Sequence, residues 1–90
     1  MSRKEKVQEA IKQEVSAIIH DELNDPRIGF ATVTRVEMSA DLEHAKIYVS
    51  VLGKQKSEVA TFKALESAKG YIRKLLAQRL KMRFIPEIMF

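Results

Sequence analysis

The chain has no cysteine, no tryptophan, three glycines and two prolines. Without cysteine there is no disulfide to staple a small fold. Thiolate zinc sites and thiol redox chemistry are excluded with it. The two histidines, His20 and His44, lie far apart in sequence and have no metal-ligand spacing. No apolar run approaches the roughly 20 residues that a membrane span needs. Nor does the apolar core of an export signal follow the charged start, Met1 to Lys6. These absences predict a cytoplasmic protein that folds without metal, cofactor or membrane.

Acidic residues are scarce in one half of the chain. Residues 1–43 hold 6 Lys/Arg and 9 Asp/Glu, a net of −3, whereas residues 44–90 hold 10 and 3, a net of +7. No acid stands between Glu66 and Glu87, while Lys69, Arg73, Lys74, Arg79, Lys81 and Arg83 are all cationic. A one-signed stretch of this kind fits a polyanionic partner. It fits a solvated, lysine-rich face equally well.

With 90 residues there is room for one core, so 1–90 is expected to be a single domain. From Ser2 to Leu23, Val7, Ile11, Val15, Ile18 and Ile19 recur at three- and four-residue steps, which predicts an amphipathic helix. Asn24-Asp25-Pro26 ends it, because proline restricts the preceding residue to extended backbone, and Gly29 completes a turn. Phe30 to Ser39 is rich in β-branched residues and predicts a strand. Its alternation conflicts: Phe30, Val36 and Met38 share one phase and Val33 takes the other, so the strand is bulged or buried on both faces. Ala45, Ile47, Val49 and Val51 alternate cleanly with Lys46, Tyr48 and Ser50 in a second strand. Ala40 to Glu43 forms the turn of the resulting hairpin.

After the Gly53 to Lys56 loop, with Ser57 as N-cap, a helical pattern runs to about Lys81. Phe62 and Leu65 form one apolar stripe, and Ile72, Leu76 and Leu80 form another. A continuous helix would join them through Lys69, a charge on the buried seam, with Gly70 beside it at a cost of about 1 kcal/mol relative to alanine. A break at Ala68-Lys69-Gly70 removes both oddities. Arg83 to Phe90 predicts a third strand, with Pro86 at its start or on an edge. The order α-β-β-α-α-β predicts an α+β fold, a three-stranded sheet with its helices on one face.

That order is the order of a type II KH domain. Particular residues strengthen the likeness. Asp25-Pro26-Arg27-Ile28-Gly29-Phe30 leads into Thr32 to Ser39, followed by Asp41-Leu42 and Ala45 to Gly53. Ala68-Lys69-Gly70-Tyr71-Ile72-Arg73 and Arg83 to Phe90 come later. Together, in this order and spacing, they resemble the ribosome-binding factor A family over nearly the whole chain, from about Lys6 to Phe90. The resemblance implies a non-enzymatic KH-like domain that binds 16S ribosomal RNA on the free small (30S) ribosomal subunit. It also implies a part in late maturation and rRNA processing, and in adaptation to cold. The family replaces the KH glycine loop with an Ala-x-Gly interruption between two helices, here Ala68-Lys69-Gly70. A G-x-x-G clamp is excluded, since Gly29, Gly53 and Gly70 are the only glycines. Family members continue past the last strand into a polar extension, whereas this sequence stops at Phe90.

Lys69, Gly70, Arg73, Lys74, Lys81, Arg83 and Lys46 are the candidate RNA-binding residues. Arg73 and Lys74 lie off the Ile72-Leu76-Leu80 seam and are expected to be exposed. Lys69 stands where free backbone N–H groups at a helix start favour a phosphate. Lys81 and Arg83 are equally accounted for by solvation. Arg79 falls within the apolar arc, where its stem can pack while its head reaches water. Tyr48 with Lys46, joined by Arg35, could stack a base on the open sheet face, although a half-buried sheet tyrosine is the simpler account. Arg27 either contacts RNA or pairs with Asp25. Phe30, Phe62, Phe84 and Phe90 are assigned to the core.

Catalysis finds no support. Ser39, Ser50 and His44 are present, but no pattern joins a nucleophile, a base and an orienting group. The acids cluster on the first helix, where pairing with lysines one turn away accounts for them. The partners that the resemblance implies are 16S rRNA and the 30S subunit, and a monomer with no small-molecule substrate is expected. The alternative is a small protein–protein interaction module without its own RNA contact.

Overall fold

A computed structural model describes residues 1–23, 25, 28, 30–52 and 55–90, without the side chains of Phe30, Gln55, Lys56 and Ser57. The expectations for Asn24, Pro26, Arg27, Gly29 and Gly53, for a core role of Phe30 and for capping by Ser57 lie outside the described residues. Helix α1 spans Arg3–Asp21. Its N-cap Ser2 accepts the Glu5 N–H at 3.1 Å, satisfying one of the free donors of the first turn. Ile11, Val15, Ile18 and Ile19 are buried along one stripe, as their spacing requires.

Strands β1, Phe30–Met38, and β2, His44–Leu52, pair antiparallel. The register pairs Val33 with Val49 and then Arg35 with Tyr48, so Thr34 is an extra residue. This bulge settles the phase conflict. On either side of it, Val33, Val36 and Met38 all enter the core, while Thr32, Arg35 and Glu37 are exposed. Burial on both faces is not needed. Thr34 Oγ1 donates to the Tyr48 carbonyl at 3.2 Å, which ties the extra residue to the neighbouring strand.

The hairpin turn is held by side chains. Ser39 Oγ donates to Asp41 Oδ1 at 2.6 Å and accepts the His44 N–H at 3.0 Å, and Asp41 Oδ1 accepts the Glu43 N–H at 3.0 Å. Leu42 takes the left-handed conformation at φ 62°, uncommon for a residue with a Cβ. Its side chain packs on the edge of the core.

Helices α2, Gln55–Ser67, and α3, Lys69–Leu80, are separate, and the break falls at Ala68 as the misplaced lysine predicts. They form the crossover that a parallel strand needs, and β3, Glu87–Met89, pairs parallel with β2. The sheet order is β1-β2-β3.

The third strand is shorter than Arg83 to Phe90 suggests. Pro86 has no N–H to give a ladder, so pairing begins one residue later, where the Glu87 N–H donates to the Glu43 carbonyl at 2.8 Å. Phe84 falls in the approach to the strand and is 81% exposed, which corrects its assignment to the core. Phe62 and Phe90 do pack against the core, at its margin.

One apolar cluster joins α1, all three strands, α2 and α3. Its centre is Ile11, Val15, Ile18, Ile47, Leu65, Ile72, Leu76 and Ile88. Burying each such side chain contributes about 1.5–3 kcal/mol. The helices cover one face of the sheet. On the other face, His44, Lys46, Tyr48, Ser50 and Leu52 of β2 stand exposed beside Arg35 and Glu37 of β1 and Glu87 and Met89 of β3. No described helix is long and apolar enough to cross a membrane.

Candidate nucleic-acid interface

The helix joint is a short gap in backbone bonding. The Ala68 N–H closes α2 on the Ala64 and Leu65 carbonyls at 3.0 and 3.2 Å, and the Ile72 N–H opens α3 on the Ala68 carbonyl at 2.9 Å. Ala68 itself sits at φ −89°, ψ 0°, at the margin of the right-handed helical region. The first N–H groups of α3, those of Lys69, Gly70 and Tyr71, have no acceptor within that helix. No side chain caps them, and α3 has no acid in its first turn. The positive end of a 12-residue helix dipole is thus left open to an anion.

Lys69 leaves the buried seam by bonding Glu66 one turn back, Nζ to Oε1 at 2.7 Å, and its side chain is only 26% exposed. Gly70 is exposed. A Cβ added there meets nothing within 4 Å, so packing does not account for the glycine. Lys74 lies one turn beyond Gly70 on the same outward side, opposite Ile72 and Leu76. It is exposed and, among the described residues, has no acid in ion-pairing range.

Arg73 departs from expectation. Its guanidinium turns inward, donating to the Ile85 carbonyl at 3.2 Å and approaching Glu87 Oε1 at 3.5 Å. The side chain is 35% exposed, and its buried Nε finds no partner. A residue three positions before Leu76 flanks the seam and meets the chain arriving at β3. Arg73 therefore anchors that segment and is not a free cation. Arg79 is likewise spent within the fold, on Glu14 at 3.4 Å and Glu22 at 3.1 Å of α1 and its cap.

Lys81 ends α3 in the left-handed conformation, φ 51°, exposed and about 18 Å along the helix from Lys69. Arg83 lies over the Phe84 ring at 5.9 Å. These residues line a cleft of about 710 Å³ with Arg3 from the start of α1. Arg3 went unsuspected in the sequence, since only the packing of α1 against α3 brings it there. The lining also carries Asp41, Glu43 and Glu87, so the cleft is of mixed charge. The Asp41 carboxyl is held below its ordinary pKa, first by the Ser39 hydroxyl and then by the Glu43 N–H. Lys46 joins none of these cations. It stands on the open sheet face, its Nζ 6.0 Å from the Tyr48 ring, while the Arg35 guanidinium lies 4.5 Å from the same ring. Among the described residues, no three His, Asp or Glu side chains converge as metal ligands.

These features define a class: a small α+β domain whose helical crossover is interrupted at an uncapped, acid-free helix start. The family model for Ribosome-binding factor A matches residues 3–90. The ribosome-binding factor A of Halothermothrix orenii is 51% identical over 88 residues, covering 98% of this chain and 72% of that protein. For the ribosome-binding factor A of Natranaerobius thermophilus the identity is 47% over 88 residues, covering 98% and 67%. The crystal structure of ribosome-binding factor A from Thermus thermophilus superposes with a TM-score of 0.87, at 28% identity, over 97% of this chain and 91% of that one. A homology model of the Thermus thermophilus factor, as fitted into the cryo-EM map of its complex with 30S, gives a TM-score of 0.69 at 28% identity, over 97% and 87%. The chain belongs to the ribosome-binding factor A family.

Proposed function

We propose that this protein binds 16S ribosomal RNA on the free small subunit and promotes its late maturation, including rRNA processing and growth in the cold. It acts in the cytoplasm as a monomeric, KH-like single domain spanning 1–90, without catalysing a reaction. Family membership supports the ribosomal partner, as does the Thermus relative fitted into a 30S complex. The observation that carries the RNA contact is the start of α3, which has no side-chain cap and no acid in its first turn. A phosphate placed there gains charge-assisted bonds that a protein surface rarely supplies.

Lys69 and Lys74 flank this position, and Gly70 leaves the backbone open to close approach. Lys81 and Arg83 extend the footprint toward the far end of α3. Arg73 contributes by fixing the scaffold. Lys46 belongs to a separate surface. Such contacts set affinity without reading sequence, so selectivity rests on the shape of the RNA and on position on the subunit.

The test is sedimentation of lysate through a sucrose gradient. The protein is expected with free small subunits and not with translating ribosomes. Replacing Lys69 and Lys74 with alanine is expected to weaken small-subunit binding. The salt slope should fall by about 0.7–0.9 log units for each phosphate left unpaired. Replacing Lys4 and Lys12 on α1 is the matched control. A folded Lys69/Lys74 variant with unchanged affinity and salt slope would place the footprint elsewhere.

A further inference from the structure

We infer that the open face of the sheet is a second RNA contact, a stacking platform for an unpaired base built on Arg35, Tyr48 and Lys46. It takes its ligand class from the reading above but uses none of the residues at the helix joint. The strand register makes Arg35 and Tyr48 direct cross-strand partners, with Lys46 two residues along on the same face. The Arg35 guanidinium lies 4.5 Å from the Tyr48 ring centroid and is steered by an ion pair with Glu37. Its side chain is 61% exposed and the tyrosine 37% exposed. A planar cation layered on a ring, with solvent beyond it, is a surface on which a nucleobase stacks. Lys46 Nζ, 6.0 Å from the same ring, is placed for the phosphate that follows the stacked base.

Charge selects the occupant. Glu37 is committed to Arg35, so the cation nearest the ring without an acid partner among the described residues is Lys46. An anionic polymer with flat apolar bases matches this set. An acidic peptide would use the cations and leave the ring without a stacking partner. Duplex RNA does not match either, because its bases are already stacked on one another and offer no free face. The helices cover the opposite face, and the molecule measures 37 × 21 × 17 Å. A base on the sheet and a phosphate at α3 are then held on opposite sides of a thin slab. The protein would bridge two RNA segments, one single-stranded and one met through its backbone.

The absence of tryptophan supplies the assay. Tyr48 and Tyr71 are the only tyrosines, so Tyr71→Phe leaves Tyr48 as the sole emitter of tyrosine fluorescence. This variant is titrated with a single-stranded oligoadenylate and with a duplex of equal length. The single strand is expected to quench the emission and the duplex to leave it nearly unchanged. Affinity for an end-labelled single strand, read by the anisotropy of the label because these variants lack the Tyr48 emitter, is expected to fall about tenfold in Tyr48→Ala, the ordinary worth of one stacked base, and to persist in Tyr48→Phe. Lys69→Ala with Lys74→Ala is expected to weaken small-subunit binding without altering the quenching, so the two contacts fail separately. Circular dichroism identifies any variant that does not fold, and Arg35→Gln with Lys46→Gln then serves in its place. No quenching by the single strand, or equal affinity in Tyr48→Ala, overturns the platform. So does a weakening in Tyr48→Ala seen only on intact subunits and not with the oligonucleotide, which would mark a protein contact.

Discussion

Replacing Gly70 with alanine separates what the fold needs at the joint from what a ligand needs. The residue lies in the first turn of α3, with no left-handed backbone angle and with open space where a Cβ would go. Nothing in the packing opposes the substitution. Alanine is favoured over glycine in a helix by about 0.8–1 kcal/mol, and it also reduces the freedom of the unfolded chain. Near a helix start the gain is expected at about 0.5–1 kcal/mol. For a domain of this size that raises Tm by roughly 2–8 °C, since about 1 kcal/mol corresponds to 4–8 °C. Thermal melts followed by circular dichroism measure it. In parallel, the methyl group stands between an approaching phosphate and the N–H donors, so small-subunit binding in the sedimentation assay is expected to weaken. A lowered Tm would refute the claim that the fold tolerates a side chain there. A raised Tm with unchanged subunit binding would refute a role for the open backbone.

Arg73→Ala removes the bond to the Ile85 carbonyl. The group is partly solvated, so a decrease of about 1 kcal/mol is expected in urea denaturation. Arg73→Lys should recover little of it, because a single ammonium cannot serve Ile85 and Glu87 with the same geometry; an unchanged midpoint in Arg73→Ala would contradict the anchoring role. Arg79→Ala should cost about 0.5–1 kcal/mol at low salt and less at about 1 M salt, the signature of its two ion pairs with Glu14 and Glu22. For Asp41 the folded carboxyl titrates below its ordinary value. Its stabilising effect is then present above the ordinary carboxylate pKa and is lost as pH falls through the lowered folded value. The difference in denaturation midpoint between wild type and Asp41→Asn should shrink over that acid range. An NMR titration placing the Asp41 carboxyl at or above the ordinary value would refute it.

The helix break was legible because two independent costs, a charge on the seam and a glycine in a helix, met at adjacent residues, Lys69 and Gly70. The hairpin was legible from β2, whose alternation is clean. For β1 the phase conflict pointed to an irregularity without choosing its form, since a bulge and two-sided burial leave the same pattern in one strand. Only the pairing with β2 separates them. Phe84 and Arg73 misled for a shared reason. Both meet the segment between α3 and β3, and its path is set by where Pro86 allows pairing to start. An apolar Phe84 next to Ile85 looks like strand core until that start is known. Arg73 looks free until Ile85 arrives beside it. Arg3 carried no local signal at all.

The extra residue at Thr34 can be removed without re-sorting the strand. Val33, Val36 and Met38 face the core, so Thr34 and Arg35 stand consecutively outside it. Deleting Thr34 would leave strict alternation, with Arg35 and Glu37 still outward and Val36 and Met38 still inward. What would be lost is the bend and added twist that a bulge gives its strand. Homologous sequences that lack the extra residue should keep the same core side chains while carrying a flatter hairpin.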